Sequence, residues 1–359
     1  MNCPALRLVA SSLLVLGACS EPTQTPVIEL TGDPTAALRT PLSAISNGVE
    51  SSNGTFIFVD KRENAIVVAS SGLDTAATIG RSGEGPGEYR RPARAIADGK
   101  GGAIIPDEIL RRALFVSPSG LITGEGLSSQ ETGFSPIAIR GVDPRGRLLH
   151  FGPAMPDNSD SLPIQRWDPA TRRSTRLGWW PMTSVALGAP VKAADGTTAR
   201  EIIVPEMWPP RSAWVAFADG SVAIVRPNPY RVEIISPDGV KSTGPPVDFQ
   251  PVRVTAAHRN AIRQDLGPMP DDQFPKTLPP FEGFDDVIGR PQGEVWVQRM
   301  RAWNDATPRY DVFGANGVLK LQVVLRPHSR VVGFGTEGIY VARRDPVVDL
   351  WYLERYPAP

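Results

Sequence analysis

The sequence has few of the side chains that carry thiol or metal chemistry, with 2 Cys and 3 His among 359 residues. Both cysteines, Cys3 and Cys19, lie in the first nineteen residues. The rest of the chain, from Ser20 onward, therefore contains no thiol. Disulfides, cysteine-ligated metal sites and cysteine nucleophiles are excluded from it.

An excess of charge of either sign is also missing, because 38 Lys and Arg residues balance 38 Asp and Glu residues. Proteins that bind nucleic acid show a basic excess or a basic stripe, so we expect no nucleic-acid partner. Pro and Gly are abundant instead, at 37 and 34 residues. Because both residues interrupt helices, this composition argues against a helical bundle.

The N-terminus lacks an apolar run long enough to span a bilayer. The run Leu8–Leu16 is short and follows a segment with one positive charge, which is typical of a secretory signal. It ends in Leu16-Gly17-Ala18-Cys19, which resembles the lipobox of bacterial lipoproteins. In that family the signal is removed before the cysteine, which is then acylated. The resemblance implies a signal peptide at 1–18, lipidation at Cys19 and a tether at 19–26.

An ordinary secreted protein whose signal ends near a cysteine is the alternative. With Ser20 after the cysteine, the sorting rule of enteric bacteria sends a lipoprotein to the outer membrane. We therefore expect a protein of the bacterial cell envelope. Its N-terminal lipid would hold it in the outer membrane, facing the periplasm or the cell surface.

The body of the chain is built from a repeat. A glycine followed by an apolar, β-rich run recurs at Gly54, Gly102, Gly146, Gly220, Gly293 and Gly338. Each unit offers up to four short apolar runs, separated by turns rich in Asp, Asn, Pro and Gly. Four antiparallel strands per unit and six units predict an all-β fold, a six-bladed β-propeller spanning 27–359.

The last unit supplies three predicted strands before the chain stops. We expect Val27–Leu30, an isolated apolar run near the N-terminus, to provide the fourth strand and close the ring. A seven-bladed ring or an open array is the alternative. One helix is predicted, at 255–266, with Thr255 as its N-cap and Gly267 as its stop.

The segment GRSGEGPGEYRRPARAI from Gly80, followed by IIPDEILRRALFVSPSG, carries a family resemblance. It is similar to bacterial six-bladed β-propeller lipoproteins related to the NHL-repeat proteins, whose signature runs roughly GRxGxGPGEF. Tyr89 stands where Phe is commoner, and the resemblance covers only about 56–120. Most members have no established activity, so it implies the fold rather than a function.

The predicted connections between strands differ in length between the two faces of the ring. Those from the first to the second and from the third to the fourth strand of a blade are tight turns. The long ones all fall on the other face, at 80–92, 153–163, 181–211, 244–283 and 302–308. The segments 181–211 and 244–283 are insertions. Because loops on a rigid scaffold carry function, this long-loop face is the predicted site.

Two groups of side chains in these loops are candidates for ligand binding. The first is a set of arginines that could form a funnel for an anionic ligand, namely Arg62, Arg81, Arg90, Arg91 and Arg112, with Arg111, Arg301, Arg343 and Arg344 nearby. The alternative is surface arginine paired with neighbouring carboxylates. The second group is Trp179, Trp180 and Trp208, a stacking platform for sugars or a peptide or, alternatively, the apolar anchor of the first insertion.

Motifs for catalysis are weak. The glycine-rich segment at 83–87 lacks the Lys-Ser/Thr of a phosphate-binding loop, and no GxSxG elbow occurs. Asp285 and Asp286 are paired carboxylates that could hold calcium, and related six-bladed rings include metal-dependent lactonases with acidic ligands at such positions. A solvated acidic loop is the alternative. Asp60 and Asp107 occupy equivalent places in two blades, which favours a turn-capping role.

We therefore expect a monomeric, lipid-anchored propeller that binds a protein or a small molecule through its long-loop face, without evident catalysis. The first alternative is a lactonase-like, metal-dependent hydrolase or lyase with a divalent ion in the central channel. The second is a scaffold whose insertions dock another envelope protein.

Overall fold

The computed structural model of the protein describes residues 25–153, 161–181, 187–192, 198–202 and 207–359. The predicted signal peptide, the lipidation site at Cys19 and most of the tether lie outside the described residues, as does part of the first insertion.

The strands follow one another in the order β1 Val27–Leu30, β2 Ala36–Ala37, β3 Val49–Glu50, β4 Phe56–Asp60, β5 Ala65–Ala69, β6 Ala76–Ile79, β7 Ile96–Ala97, β8 Ala103–Pro106, β9 Ala113–Val116, β10 Ile122–Gly126, β11 Ile139–Val142, β12 Leu148–Phe151, β13 Ser161–Asp168, β14 Arg173–Pro181, β15 Leu187–Lys192, β16 Thr198–Ile202, β17 Ala213–Ala216, β18 Val222–Pro227, β19 Tyr230–Ile235, β20 Lys241–Thr243, β21 Val287–Gly289, β22 Val295–Gln298, β23 Arg309–Phe313, β24 Leu319–Leu325, β25 Ser329–Phe334, β26 Ile339–Asp345 and β27 Leu350–Tyr356. Helices are few in the described chain: α1 Ser129–Thr132, α2 Ala256–Leu266 and 3-10 turns at Pro136–Ala138, Asp271–Gln273 and Phe284–Asp286.

These strands form six antiparallel blades in the described chain, and the predicted six-bladed propeller is confirmed. Blades one to five are β3–β6, β7–β10, β11–β14, β17–β20 and β21–β24, each hydrogen-bonded in chain order. Blade six combines β25, β26 and β27 with β2. The insertion after blade three carries a separate two-stranded sheet, β15 with β16.

The N-terminal segment closes the ring, but the prediction that Val27–Leu30 is the closing strand was wrong. The closing strand is β2, which pairs antiparallel with β27 through Ala36↔Arg355. Val27–Leu30 instead runs parallel to β24 and adds a fifth strand to blade five. The reason lies in Leu38, which is buried in the core between blades six and one and fixes the segment beside it.

The core lies between neighbouring blades. The two middle strands of a blade are covered on both sides, and all five residues of β4 are buried. This explains the continuous apolar runs that follow the repeat glycines. Gly54 and Gly220, at φ 78° and 88°, turn the chain into the second strand in a conformation that favours glycine.

The strand bounds place every long connection on one face. Residues 244–286 separate β20 from β21, and residues 182–212 separate β14 from β17. Both connect one blade to the next, as residues 80–95 do between blades one and two. The turns on the opposite face are short, for example 217–221.

The predicted helix is confirmed as α2, and it anchors the second insertion. Thr255 caps it by accepting a hydrogen bond from the His258 backbone N–H at 3.3 Å, while the His258 ring accepts one from the Thr255 N–H. Gly267 follows its last residue. Ile262, the buried residue of α2, belongs to a satellite core with Val254, Phe274 and Leu278, against which Trp208 packs.

The described helices include none long and apolar enough to cross a membrane.

Asp60 and Asp107 cap turns, as predicted. The Asp107 carboxylate accepts hydrogen bonds from four backbone N–H groups at 2.7–3.0 Å, those of Arg90, Arg91, Ile109 and Leu110. Asp60 does the same for Ser43, Ala44, Arg62 and Glu63. Each carboxylate joins the turn after the second strand to the loop that enters its blade.

Asp107→Asn should lower the free energy of unfolding by about 2 kcal/mol, because the amide keeps one acceptor oxygen and turns N–H groups towards two backbone donors. Urea unfolding measures the loss. Asp345→Asn is the matched control, since Asp345 also ends the second strand of its blade but accepts a hydrogen bond from one N–H, that of Val347. Equal losses in the two variants would contradict the capping role.

Candidate functional site

A central channel runs along the inner strands of the six blades. It contains a cavity of about 430 Å³, lined by residues of every blade. The chain enters each inner strand from the long-loop face. The residues just before these strands therefore lie at that end of the channel. Asn47, Arg94 and Asp285 each lie two residues before the inner strand of their blade, and all three line the cavity.

Two arginines lie side by side at this end of the channel. The Arg94 guanidinium donates to the carbonyl oxygens of Ile137 and Ile139, at 2.9 and 2.7 Å. Arg140 donates to the same Ile137 oxygen at 3.4 Å, and its guanidinium lies 5.3 Å from the Phe151 ring centre. Burial lowers the pKa of Arg94 to about 10, although the charges of Asp285 and Glu108 oppose the shift. Arg94 therefore remains a cation at neutral pH.

Asn47 is oriented by a third arginine. Arg330 donates to the Asn47 Oδ1 at 3.2 Å and to the Ile45 carbonyl oxygen, and its guanidinium lies 5.7 Å from the Trp351 ring centre. A guanidinium can only donate, so the atom facing it must be the amide oxygen. The amide N–H groups of Asn47 are consequently on the other side of the carboxamide.

Asp285 and Asp286 face different cavities. Asp285 lines the channel and is exposed, whereas Asp286 accepts hydrogen bonds from the backbone N–H groups of Glu282 and Gly283, at 2.7 and 3.3 Å. Burial raises the pKa of Asp286 to about 6, and the charges of Glu282 and Asp285 add to the rise. The pair forms part of the wall between the channel and a second cavity.

This second cavity, of about 310 Å³, lies between the insertion that carries α2 and the loop between β22 and β23. Trp208 and Trp303 line it, with ring centres 6.4 Å apart. Its charged lining residues are Glu282, Asp286, Arg299, Arg301 and Asp305. The cavity thus combines an aromatic rim with charges of both signs.

A buried network holds Arg299 in place. Its guanidinium donates to the Asp311 carboxylate at 2.9 Å and lies 5.4 Å from the Phe249 ring centre. The fully buried Asp311 also accepts hydrogen bonds from the Tyr230 hydroxyl and the Gln322 amide, both at 2.8 Å. Burial, with the Asp311 charge, raises the pKa of Tyr230, so the phenol stays protonated and donates.

The arginines predicted to form a funnel lie on the loops of blades one and two, and the structure gives each a carboxylate partner. The pairs are Arg62–Asp349 at 3.2 Å, Arg81–Glu88 at 2.5 Å, Arg90–Glu84 at 2.8 Å, Arg91–Glu108 at 3.2 Å and Arg112–Glu125 at 2.9 Å. Arg112 also donates to the carbonyl oxygens of Glu84, Gly85 and Glu88. It therefore fastens the glycine-rich loop.

The three predicted tryptophans do not share one surface. Trp179 and Trp180 are consecutive on β14, so their side chains point to opposite faces of the strand. The Trp180 indole donates to the Ser212 carbonyl oxygen at 2.9 Å. Trp208 is the one of the three that lines either of the two cavities, as far as the described residues show. Its partner there is Trp303, which the sequence analysis did not single out.

Sequence reasoning also missed Asn47, Arg94, Arg140 and Arg330. A signal existed for Asn47 and Arg94: polar residues recur two positions before the first strand of a unit, as Asp285 does in blade five. Arg90 and Arg91, which the sequence analysis names, lie four and three residues before Arg94.

The carboxylates that the structure describes near the channel do not form a group of three. Among the described residues, no three His, Cys, Asp or Glu side chains lie close enough together to hold one. Asp271, in the second insertion, pairs with Arg263 at 2.5 Å and Arg259 at 3.4 Å. The charge of Asp285 instead acts on Arg94 and Arg330.

No known protein family and no curated protein matches the sequence. Among solved structures, a Bacteroides fragilis protein named for its expected export has a TM-score of 0.51 at 9% identity, covering 92% of this chain and 99% of that one. A gluconolactonase from Xanthomonas campestris has a TM-score of 0.46 at 10% identity, covering 91% and 96%. A calcium-binding regucalcin from Agrobacterium tumefaciens has 0.40 at 11%, covering 93% and 98%. At these identities the likeness concerns the fold alone.

Proposed function

We propose that the protein is a lipid-anchored propeller of the bacterial cell envelope that binds a ligand at its long-loop face and does not catalyse a reaction. The observation that carries the proposal is the pair of adjoining cavities at that face, which meet at Asp285 and Asp286. Their linings offer guanidinium, amide and indole donors with aromatic rings. Such groups recognise and orient a ligand.

The envelope location rests on Leu16-Gly17-Ala18-Cys19 and the apolar run before it. Acylation at Cys19 would hold the ring at a membrane surface, and 19–26 would serve as the tether. The long-loop face would then be presented to the solvent of the envelope.

A metal-dependent lactonase is the second candidate, and one feature favours it: two adjacent carboxylates lie at the end of the channel, and one has a raised pKa. Against it stand the small number of carboxylates and the cationic arginines beside them. A cation placed at Asp285 would be repelled by Arg94 and Arg330.

The full-length protein, purified from membranes, distinguishes the two candidates. We expect no stoichiometric metal by elemental analysis, no change in melting temperature on chelation, and no hydrolysis of gluconolactone with added Ca²⁺ or Zn²⁺. The intact mass of the same preparation reports acylation at Cys19. A stoichiometric metal whose removal lowers the melting temperature and abolishes lactone hydrolysis would replace the binding proposal with the lactonase.

A further inference from the structure

We infer that the second cavity binds a neutral sugar, whose ring packs on Trp303 and whose hydroxyl groups bond to Gln298 and Asp286. This inference rests on the proposed binding function and names both the class of ligand and the cavity that takes it. All three residues line the cavity. Gln298 ends β22, Trp303 lies in the loop that follows, and Asp286 directly precedes β21, so blade five supplies all three.

Trp303 presents a fixed aromatic surface at the rim of this cavity. It is 44% exposed, and its indole N–H donates to the Asp265 carboxylate of α2 at 3.1 Å. The loop that carries it is also tied internally, because the Arg301 Nε donates to the Asp305 carbonyl oxygen at 2.7 Å. The Trp208 ring lies at 39° to the Trp303 ring. The C–H face of a sugar ring packs on an exposed ring that is held in this way.

Gln298 supplies a hydrogen-bond donor whose direction is fixed. The Val331 N–H donates to the Tyr310 hydroxyl oxygen at 2.9 Å, and that hydroxyl donates to the Gln298 Oε1 at 2.7 Å. Burial raises the pKa of Tyr310, so the phenol keeps its proton. No acceptor among the described residues lies within hydrogen-bonding distance of the Gln298 amide nitrogen. Since Gln298 lines the cavity, its N–H groups are available to a ligand there.

Asp286 supplies an acceptor to the same cavity. Its Oδ2 accepts hydrogen bonds from the backbone N–H groups of Glu282 and Gly283, which fix the orientation of the carboxyl group. No donor in the described part of the chain lies within hydrogen-bonding distance of its Oδ1. A hydroxyl group both donates and accepts, so neighbouring hydroxyls of one sugar can bond to the carboxylate and to the Gln298 amide.

The charges around the cavity favour a neutral ligand over an ion. Glu282 and Asp286 carry negative charge, and Arg299 and Arg301 carry positive charge. An ionic ligand would be attracted by one sign and repelled by the other, whereas a hydroxyl can donate to a carboxylate and accept from a guanidinium. The lining also includes the apolar side chains of Val254, Ile262, Leu278 and Met300. A sugar ring, with its apolar C–H face and polar edge, matches both parts of this lining.

A panel of D-glucose, D-galactose and D-mannose tests the inference, each sugar being compared with its uronic acid and its amino sugar. The full-length protein is purified from membranes in a detergent without a sugar head group, and calorimetry in the presence of EDTA gives the affinities. We expect at least one neutral sugar to bind and its two charged forms to bind more weakly. A charged form that binds as tightly as the neutral sugar would overturn the inference, and so would a panel in which no sugar binds.

Two substitutions of Trp303 test the contact with the ring. Trp303→Leu keeps an apolar side chain but removes the aromatic surface, and it should weaken the best sugar roughly tenfold. Trp303→Phe keeps an aromatic ring and should recover most of the affinity. Both variants lose the hydrogen bond to Asp265, so the difference between them reports the ring alone. Equal affinities in the two variants would contradict packing of the sugar on Trp303.

Gln298→Glu tests the donor. The new side chain keeps an acceptor oxygen for the Tyr310 hydroxyl, so the fold is preserved, but it has no N–H group. The affinity for the sugar should fall roughly tenfold or more. Gln292→Glu is the matched control, because Gln292 is exposed in the turn between β21 and β22 on the opposite face. Full affinity in Gln298→Glu, or an equal loss in the control, would remove the sugar from the second cavity.

The sugar inference and the proposed function can fail separately. A panel without a binder overturns the sugar inference and leaves the proposed function to the metal analysis. A stoichiometric metal together with lactone hydrolysis overturns the proposed function, whichever sugar binds in EDTA.

Discussion

Replacing Asp311 by Ala is expected to lower the free energy of unfolding by about 3–5 kcal/mol. Asp311 is fully buried, and its carboxylate accepts hydrogen bonds from Arg299, Tyr230 and Gln322. Truncation leaves the Arg299 cation half-buried without its counterion and deprives two further donors of their acceptor. Removing one member of a buried charge pair is costly because the remaining charge cannot recover its hydration.

Urea unfolding monitored by tryptophan fluorescence measures the effect. Asp349→Ala is the control, since Asp349 also accepts from two arginines, Arg62 and Arg344, but its side chain is 45% exposed. The control should lose at most about 1 kcal/mol, as exposed ion pairs do. A loss in Asp311→Ala no larger than in the control would show that water replaces the carboxylate in the network.

Asp311→Ala should also alter the second cavity. Arg299 lines that cavity, and its position depends on Asp311 and on the rings of Phe249 and Tyr230. Without the carboxylate, the guanidinium loses the contact that fixes its direction. A ligand in the second cavity would then lose affinity.

The blades could be predicted from the sequence because their signal is local and repeated. Gly54, Gly102 and the four later repeat glycines each come just before the second strand of a blade. A tight turn followed by a doubly buried strand leaves a glycine and a continuous apolar run, whatever the neighbouring blades contain. The same holds for α2, whose N-cap and terminal glycine are encoded within the helix itself.

The closing strand could not be predicted in the same way. Val27–Leu30 has an alternating pattern that suits the outer edge of any blade. Only its contact with β24 decides that it joins blade five. The real closing strand, β2, is two residues long and has no pattern of its own. Its place is set by Leu38, whose burial depends on residues far away in the chain.

The candidate site was predicted at the level of a face but not of its residues. The funnel arginines were chosen for lying in long loops, yet Arg81 and Arg90 meet carboxylates of their own loop. Arg94 lies only a few residues further on, and it lines the channel because it comes two residues before the inner strand. Which arginine lines the channel depends on neighbours brought together by the ring, so composition and loop length cannot decide it.

The pH dependence of stability is expected to contain two large contributions of opposite sign. His150, in β12, is 1% exposed and stacks on Phe134 with ring centres 3.7 Å apart. Its ring nitrogens meet the Phe151 carbonyl oxygen and the Ser174 hydroxyl, which suits a neutral imidazole. Burial lowers the pKa of His150 to about 4.

The folded state resists protonation of His150. The contribution of His150 to the free energy of unfolding is therefore fully present above the ordinary histidine pKa and is lost as the pH falls from about 6.5 to about 4. The loss amounts to about 3 kcal/mol. Asp286 works in the other direction. Its pKa is raised to about 6, so the folded state binds a proton that the unfolded state releases. Stability from this group is present below about 4 and is lost as the pH rises to about 6.

The two contributions nearly cancel in the unaltered protein, whose stability should change little between pH 7 and pH 4.5 for these two groups. Replacing either residue should leave the pH dependence of stability that comes from the other. His150→Asn, whose amide can still donate to the Phe151 carbonyl oxygen, should become more stable on acidification by about 2 kcal/mol, from Asp286 alone. Asp286→Asn should become less stable on acidification by about the same amount and should exceed the unaltered protein at pH 7.

Urea unfolding of the three proteins at both pH values gives the differences directly. The double variant serves as the control. Its free energy of unfolding should change as little between the two pH values as that of the unaltered protein, if the two groups act independently across their separate blades. If the free energy of unfolding changed by the same amount between the two pH values in all three proteins, neither side chain would have a shifted pKa. If Asp286→Asn gains stability at pH 7 as expected, the native carboxyl is retained at a cost to the fold. A buried carboxyl kept at such a cost, in the wall between two cavities of the long-loop face, is expected where a site binds a ligand rather than where a ring is only packed.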